Sequence, residues 1–447
     1  MPPLSRQRTP ESLYSEWSHS YLGATISIHA LAKPLMKFMY HRAVLDLIKQ
    51  QQGIPLSGET IRIYECYLMS KYVAETTKAL ILRELEYRAR VEVEAQLVAD
   101  FLVLYDILLD SPGVMVRSWT CWALGQLALH SSTRAAVVAV QPGAALVALL
   151  SDANVNIVRG ACFAVSHICR DLGGAVPIVA AGALEFLKQL LQSQDTDVRW
   201  HACWALGQLA YHSPTQAAVV AVQPGAQLVA LLSDRNIKVV KGACYALSHI
   251  SRELEGAKAA VEAGALEIIQ QLLKSQDTEV RRWTAWFFAE VASHSLTRQG
   301  VVTVQPCAQL VALLGDGDVD VVTGACCALY QVCREVDGAR AAVEAGVLKT
   351  VKQLLESHNE GVRTHACSAL GRLASHSSTR AAVVAVQPGA HLITLLSDAN
   401  VNVIRGACYA VSHISRDRDG ATTIVEARGP EFLNQLLESH DKDIRRH

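Results

Sequence analysis

Aromatic residues make up only 6% of this 447-residue sequence, and neither sign of charge is in excess, the formal net being -1. A β-sandwich draws on aromatic and β-branched residues, whereas the abundant Ala, Val and Leu here suit close packing of helices. Balanced charge gives no overall basic footprint for nucleic acid and no like-charged tail. Long apolar runs are missing too. A membrane span needs ~20 residues, and the longest candidate, Ala135 to Leu150, is cut by Gln141-Pro142-Gly143. No apolar core follows Met1-Pro2-Pro3-Leu4-Ser5-Arg6, Pro2 excludes myristoylation, and no prenylation cysteine closes the sequence. We therefore expect no leader and no membrane anchor, with the cytoplasm as location and the nucleus as the alternative.

The marks of catalysis are also missing. No phosphate-cradling Gly-x-x-x-x-Gly-Lys or Gly-x-Gly-x-x-Gly occurs. Asp316-Gly317-Asp318-Val319-Asp320 opens like a calcium loop, but Val321 stands where its Gly belongs and Cys327 where its bidentate Glu belongs. The 16 His recur at fixed intervals instead of converging on one constellation. Twelve cysteines form no C-x-x-C pair. Cys121, Cys203 and Cys367 recur at multiples of 82 residues, as do Cys162, Cys244, Cys326 and Cys408. Each sits in an apolar helical run, the setting of a small buried hydrophobe. The expectation is no enzyme, no metal and no cofactor.

What the sequence has is a repeat. Residues 117–171 and 363–417 are identical at 42 of 55 positions, 246 residues apart. A half-period of 41 residues maps Cys121 to Cys162, Leu124 to Val165 and Leu127 to Ile168. Two kinds of period alternate, each with three helical patterns broken at Pro-Gly or Ala-Gly. Gly182, Gly264 and Gly346 suit a turn of positive φ, Pro224 suits a first helical turn, and Ser-Asp at 151–152, 233–234 and 397–398 offers caps. No single period can bury its own apolar face, so neighbours must stack.

Gly264-Ala265-Leu266, Leu228-Val229-Ala230-Leu231-Leu232 and Trp204-Ala205-Leu206-Gly207-Gln208 resemble the armadillo repeat, over about three-quarters of the chain. That resemblance implies an all-α, right-handed solenoid superhelix. We expect eight repeats, at 112–152, 153–193, 194–234, 235–275, 276–316, 317–357, 358–398 and 399–439. Residues 440–447 match the start of an incomplete ninth, so the expectation is either a piece of a longer array or an uncapped C-terminal repeat covered by end-to-end self-association or by a partner. Before them, 1–22 are expected as a loose arm and 23–111 as a helical cap of degenerate repeats or, alternatively, a separate partner-binding module. Its expected helices run over 25–48, 59–72, 76–90 and 94–109, with Pro34 as a start or kink.

The resemblance also implies a binding scaffold whose third helices line a concave groove. Four third-helix positions change strongly between copies: 119/201/283/365, 122/204/286/368, 126/208/290/372 and 129/211/293/375. Their offsets form one stripe, and a position free to exchange Trp for Ser is expected to face solvent or a partner. The candidate groove residues in this kind of period are Trp119, Trp122, Gln126, Trp204, Gln208, Tyr211, Trp283, Trp286, Glu290 and Arg372. The other kind supplies Phe163, Tyr245 and Tyr409, then His167, His249, Gln331 and His413, then Arg170, Arg252, Arg334 and Arg416. Trp, Tyr and Arg are the usual interface anchors. Because His titrates near pH ~6.5 when unperturbed, the ladder is expected to gain positive charge below about pH 6 and to hold an acidic partner more tightly there.

In importin-α-like relatives an Asn stands four residues after the Trp, and this sequence never places one there. The function expected is a non-catalytic scaffold for a protein or extended peptide, with no nucleic acid. A nuclear-import-type adaptor or a nucleic-acid-binding α-solenoid is the alternative, and an enzyme ranks third.

Overall fold

The computed structural model describes residues 27–70, 73–439 and 441–446. The expected loose arm at 1–22 lies outside them. Every regular element among the described residues is a helix. The chain divides into two compact units, up to Thr215 and from Gln216.

In both units a 41-residue period holds one long helix and two short ones. The long third helices alternate between 16 residues, as in Val114–Leu129 and Thr278–Ser293, and 14 residues, as in Val155–Ile168 and Val319–Val332. In the first unit Glu75–Ala89, Val114–Leu129, Val155–Ile168 and Thr196–Tyr211 pack in succession. In the second, Ile237–Ile250, Thr278–Ser293, Val319–Val332, Glu360–Ser375 and Val401–Ile414 do the same. Cys121, Leu124, Leu127, Cys162 and Val165 are fully buried along these helices, and burial pushes the Cys121 and Cys162 thiols far up in pKa.

The cap differs from expectation in two places. Helix Ser27–Gln51 begins before Pro34, which therefore does not mark its start. The single helix expected over 94–109 is three short pieces, Glu92–Val98, a 3-10 turn at Ala99–Leu104, and Tyr105–Leu109. Because Glu75–Ala89 packs as a third helix on Val114–Leu129, the pieces between them fill the place of two short repeat helices. Tertiary packing breaks a segment that holds neither Gly nor Pro.

The loops are held by caps and charge. Ser-Asp does not cap the long helices directly. Asp152 and Asp398 each accept the backbone N–H of an Asn two residues on, at 2.8 Å, and Asn154 and Asn400 are the caps. Arg117, Arg281 and Arg363 pair with Asp152, Asp316 and Asp398 at 3.3, 2.7 and 2.8 Å, tying each long helix to the next loop. At the last described repeat that cover thins. Leu437 is 63% exposed, where Leu355 at the same place one double period earlier is 2% exposed.

The turns between short helices take positive φ at Gly182, Gly264 and Gly346, as expected. Alternate periods put Gln141, Gln223, Gln305 and Gln387 there, each directly before Pro or the Pro-Gly step, and Arg428 stands where the others carry Gly. A side chain in this region costs ~1–2 kcal/mol. Gly264 has open space around its absent Cβ, so Gly264→Ala isolates the backbone term. It should destabilise by about 1–2 kcal/mol, and Arg428→Gly should stabilise, both read from denaturant melts.

Candidate binding face on the third helices

In the first unit the rings interlock across the seams between third helices. Trp122 and Phe163 lie 4.7 Å apart, and Phe163 meets His167 at 4.7 Å and His201 at 5.2 Å, both edge-on. Trp119, Trp122 and Trp204 are half-buried, and Tyr211 is 53% exposed at the end of its helix. Gln126 is half-buried, its amide donating to Glu86 Oε1 at 3.4 Å. Arg170 is exposed just past Val155–Ile168.

The second unit repeats the pattern with different chemistry. Tyr245 meets His249 at 4.6 Å and Trp283 at 4.8 Å. Trp283, Trp286, Glu290 and Gln331 are half-buried, and burial raises the Glu290 carboxyl while the Arg252 charge opposes it. Arg372 lies between Tyr330 and Tyr409, 5.3 and 5.2 Å from their ring centres, and Tyr409 meets His413 at 4.7 Å. Arg252, Arg334 and Arg416 are exposed at helix ends.

Three of the expected solvent-facing side chains are therefore buried: Phe163 at 7%, Tyr245 at 5% and Gln208 at 8% exposure. His201, at one of the variable positions, is buried as well. For Phe163 the reason is a compensation across the seam, and Tyr409 shows the same fit. A Cβ on Gly125 would stand 2.3 Å from Phe163 Cδ1, and one on Gly371 2.4 Å from Tyr409 Cδ1. At the same register in the intervening period the small residue is Ala289, and the facing residue shrinks to Cys327. Variation between copies thus marks paired volumes at this position, not freedom in solvent.

Sequence reasoning gave no role to the His of each His-Ser step. His130, His212, His294 and His376 each donate from Nε2 to a backbone carbonyl of the preceding third helix, on Ala89, Cys169, Ser251 and Cys333, at 2.8 to 3.0 Å. Their recurrence at 82 residues was the available signal.

The expected charging of the ladder is corrected for two members. Burial, then the Arg170 and Arg134 charges, lowers the His167 pKa to about 4, and burial with Arg252 lowers that of His249 to about 3. Both stay neutral well below pH ~6.5.

Among the described residues no group of three His, Cys, Asp or Glu is placed to hold a metal. The fold and this ladder of long helices define an all-α solenoid of three-helix repeats. Residues 336–375 match the armadillo/beta-catenin-like repeat, and residues 186–286 match HEAT repeats. Two segments of the chain therefore match repeats of this helical kind. The chain is 27% identical over 198 residues to importin subunit alpha-1b of Oryza sativa subsp. japonica, a match spanning 43% of this chain and 37% of that protein. It spans well under half the length of that relative. A crystal structure of an engineered protein aligns over 88% of this chain and 97% of its own, at 27% identity and a TM-score of 0.77. A second engineered protein covers 52% of this chain and 96% of its own, at 30% identity and a TM-score of 0.50.

Two outcomes test the seam. Gly371→Ala should destabilise by about 1–3 kcal/mol through overpacking, and adding Tyr409→Cys should recover part of that loss. A double-mutant cycle in urea with no favourable coupling would contradict the compensation. For acidity, the sign follows from depressed folded pKa values: the unfolded chain binds more protons between pH ~6.5 and the folded values. The melting temperature should therefore fall as pH drops from 6.5 toward 4, less steeply in His167→Gln/His249→Gln, which carries the residue found at 331.

Proposed function

We propose that this protein is a non-catalytic interaction scaffold that holds an extended segment of a partner protein against the third-helix faces of its units. One observation carries the reading. Large side chains that are not fully buried, Trp122, Trp204 and Tyr211 in the first unit and Trp286 in the second, recur at repeat spacing over a floor of interlocked rings. Exposed aromatics in series are uncommon on surfaces without a partner. Repeat spacing suits an extended chain better than a compact face. The armadillo and importin matches support the same reading.

A nuclear-import adaptor is the second reading, favoured by the importin match. Against it, Gln126, His167, Gln208, His249, Glu290, Gln331, Arg372 and His413 stand where that family places Asn, and Glu290 is the one acid among them. Balanced charge favours a protein partner over nucleic acid.

The test is a binding scan of extended peptides against the full chain and against Trp204→Ala/Tyr211→Ala. Truncated hot-spot aromatics cost ≥ ~2 kcal/mol of affinity, so bound peptides should lose about thirtyfold or more. The melting curve should shift less than truncation of a fully buried Trp would cause, since both side chains keep solvent contact. Unchanged affinity in the double variant would overturn the reading.

A further inference from the structure

Arg372 takes the ladder position held by Gln126, Gln208 and Glu290 in the other periods of its kind. Its guanidinium is clamped between Tyr330 and Tyr409, and Nη2 donates to the Tyr330 hydroxyl at 3.4 Å. Its Nε is buried without a hydrogen-bond partner, and among the described residues no carboxylate pairs with it. The acids on neighbouring elements are engaged elsewhere. Glu335 pairs with Arg298 at 3.1 Å, Asp398 pairs with Arg363 at 2.8 Å, and Asp417 accepts from the N–H groups of Asp419 and Gly420.

More positive charge stands beside it. Arg334 and Arg416 follow the ends of Val319–Val332 and Val401–Ile414, the third helices packed on either side of Glu360–Ser375. Burial and the charges of Arg298 and Arg372 lower the Arg334 pKa, and both Arg372 and Arg416 act on Tyr409. Arg334 feels the Arg372 charge, partly offset by Glu335, and Arg372 and Arg416 share Tyr409 as a neighbour. Among the described residues no carboxylate pairs with Arg372. A guanidinium fixed on aromatic faces has already lost most of its rotamer freedom, which favours fork-like pairing with a carboxylate.

We propose that Arg372, flanked by Arg334 and Arg416, forms a subsite in the second unit for an Asp or Glu side chain of the bound segment, so that the partner is an acidic peptide there. The subsite rests on the extended-partner reading above. Glu290, at the same ladder position one double period earlier, disfavours a second acid at its own register. The segment that fits is acidic toward the C-terminal repeats and neutral or basic before them.

The experiment uses the full chain and fluorescein-labelled peptides of seven Glu-Ser, seven Gln-Ser or seven Lys-Ser repeats, read by fluorescence anisotropy at low salt. The Glu-Ser peptide should bind about tenfold more tightly than Gln-Ser. Arg372→Gln, which installs the residue native to 126 and 208, should cost about tenfold on the Glu-Ser peptide with the melting curve retained. Arg340→Gln removes the same charge from the exposed surface of the short helix Val336–Glu344 and should leave affinity unchanged. Equal loss in both variants, or Gln-Ser or Lys-Ser binding as tightly as Glu-Ser, overturns the subsite. So does a single-stranded oligothymidylate that binds more tightly and displaces the peptide. If all three peptides bind alike and all weaken in Trp204→Ala/Tyr211→Ala, the extended-partner reading stands while the acid subsite falls. If none binds, both fall.

Discussion

Successive third helices can approach one another only as far as their facing side chains allow, and the rest of each unit depends on that distance. At Gly125 and Gly371 the helix has no Cβ, and the ring of Phe163 or Tyr409 occupies the space it would have taken. Interiors packed to crystal-like density do not absorb an added methyl without displacement. The exchange to Ala289 facing Cys327 keeps the sum of the two volumes small enough for the same register. Gly160 and Gly324 serve the other side of the seam, where Trp122 and Trp286 come within 3.2 Å of the absent Cβ.

The seam also decides what the face can offer. Rings wedged between helices have little freedom left, so binding a partner there orders few side chains anew. Phe163 and Tyr245 are the buried members, and the tryptophans and charged ladder residues stay half-buried above them. On the proposed reading, specificity would lie where the ladder changes sign, between Glu290 and Arg372. The imidazoles of His167 and His249 belong to the floor, since burial keeps them neutral through the range in which a free His would titrate.

Around the seams, recurring polar contacts hold the loops in register. The imidazoles of His130, His212, His294 and His376 bond to carbonyls at the ends of preceding third helices, groups that no further helical turn satisfies. Gln141, Gln223, Gln305 and Gln387 accept a left-handed backbone at a position where the alternate periods use Gly. That strain is tolerated four times over, which shows how strongly the stacking of neighbours determines the turn.

The sequence by itself determined the period, the three helices within it, the glycine turns and the buried cysteines, because each is written in local spacing or in exact recurrence at 82 residues. It also singled out the third helix as the element that carries the variable positions. It did not separate the variable residues that meet solvent from those that meet each other. Phe163 varies to Cys327 for a reason held 38 residues away, in Gly125 and Ala289, and helical periodicity has no term for a facing helix. The same holds for the broken stretch 92–109, whose residues favour one helix until Glu75–Ala89 and Val114–Leu129 pack together and leave room for three short pieces. Only the tertiary structure decided these points, since burial, pKa and volume are properties of a neighbour's position as well as of the residue itself.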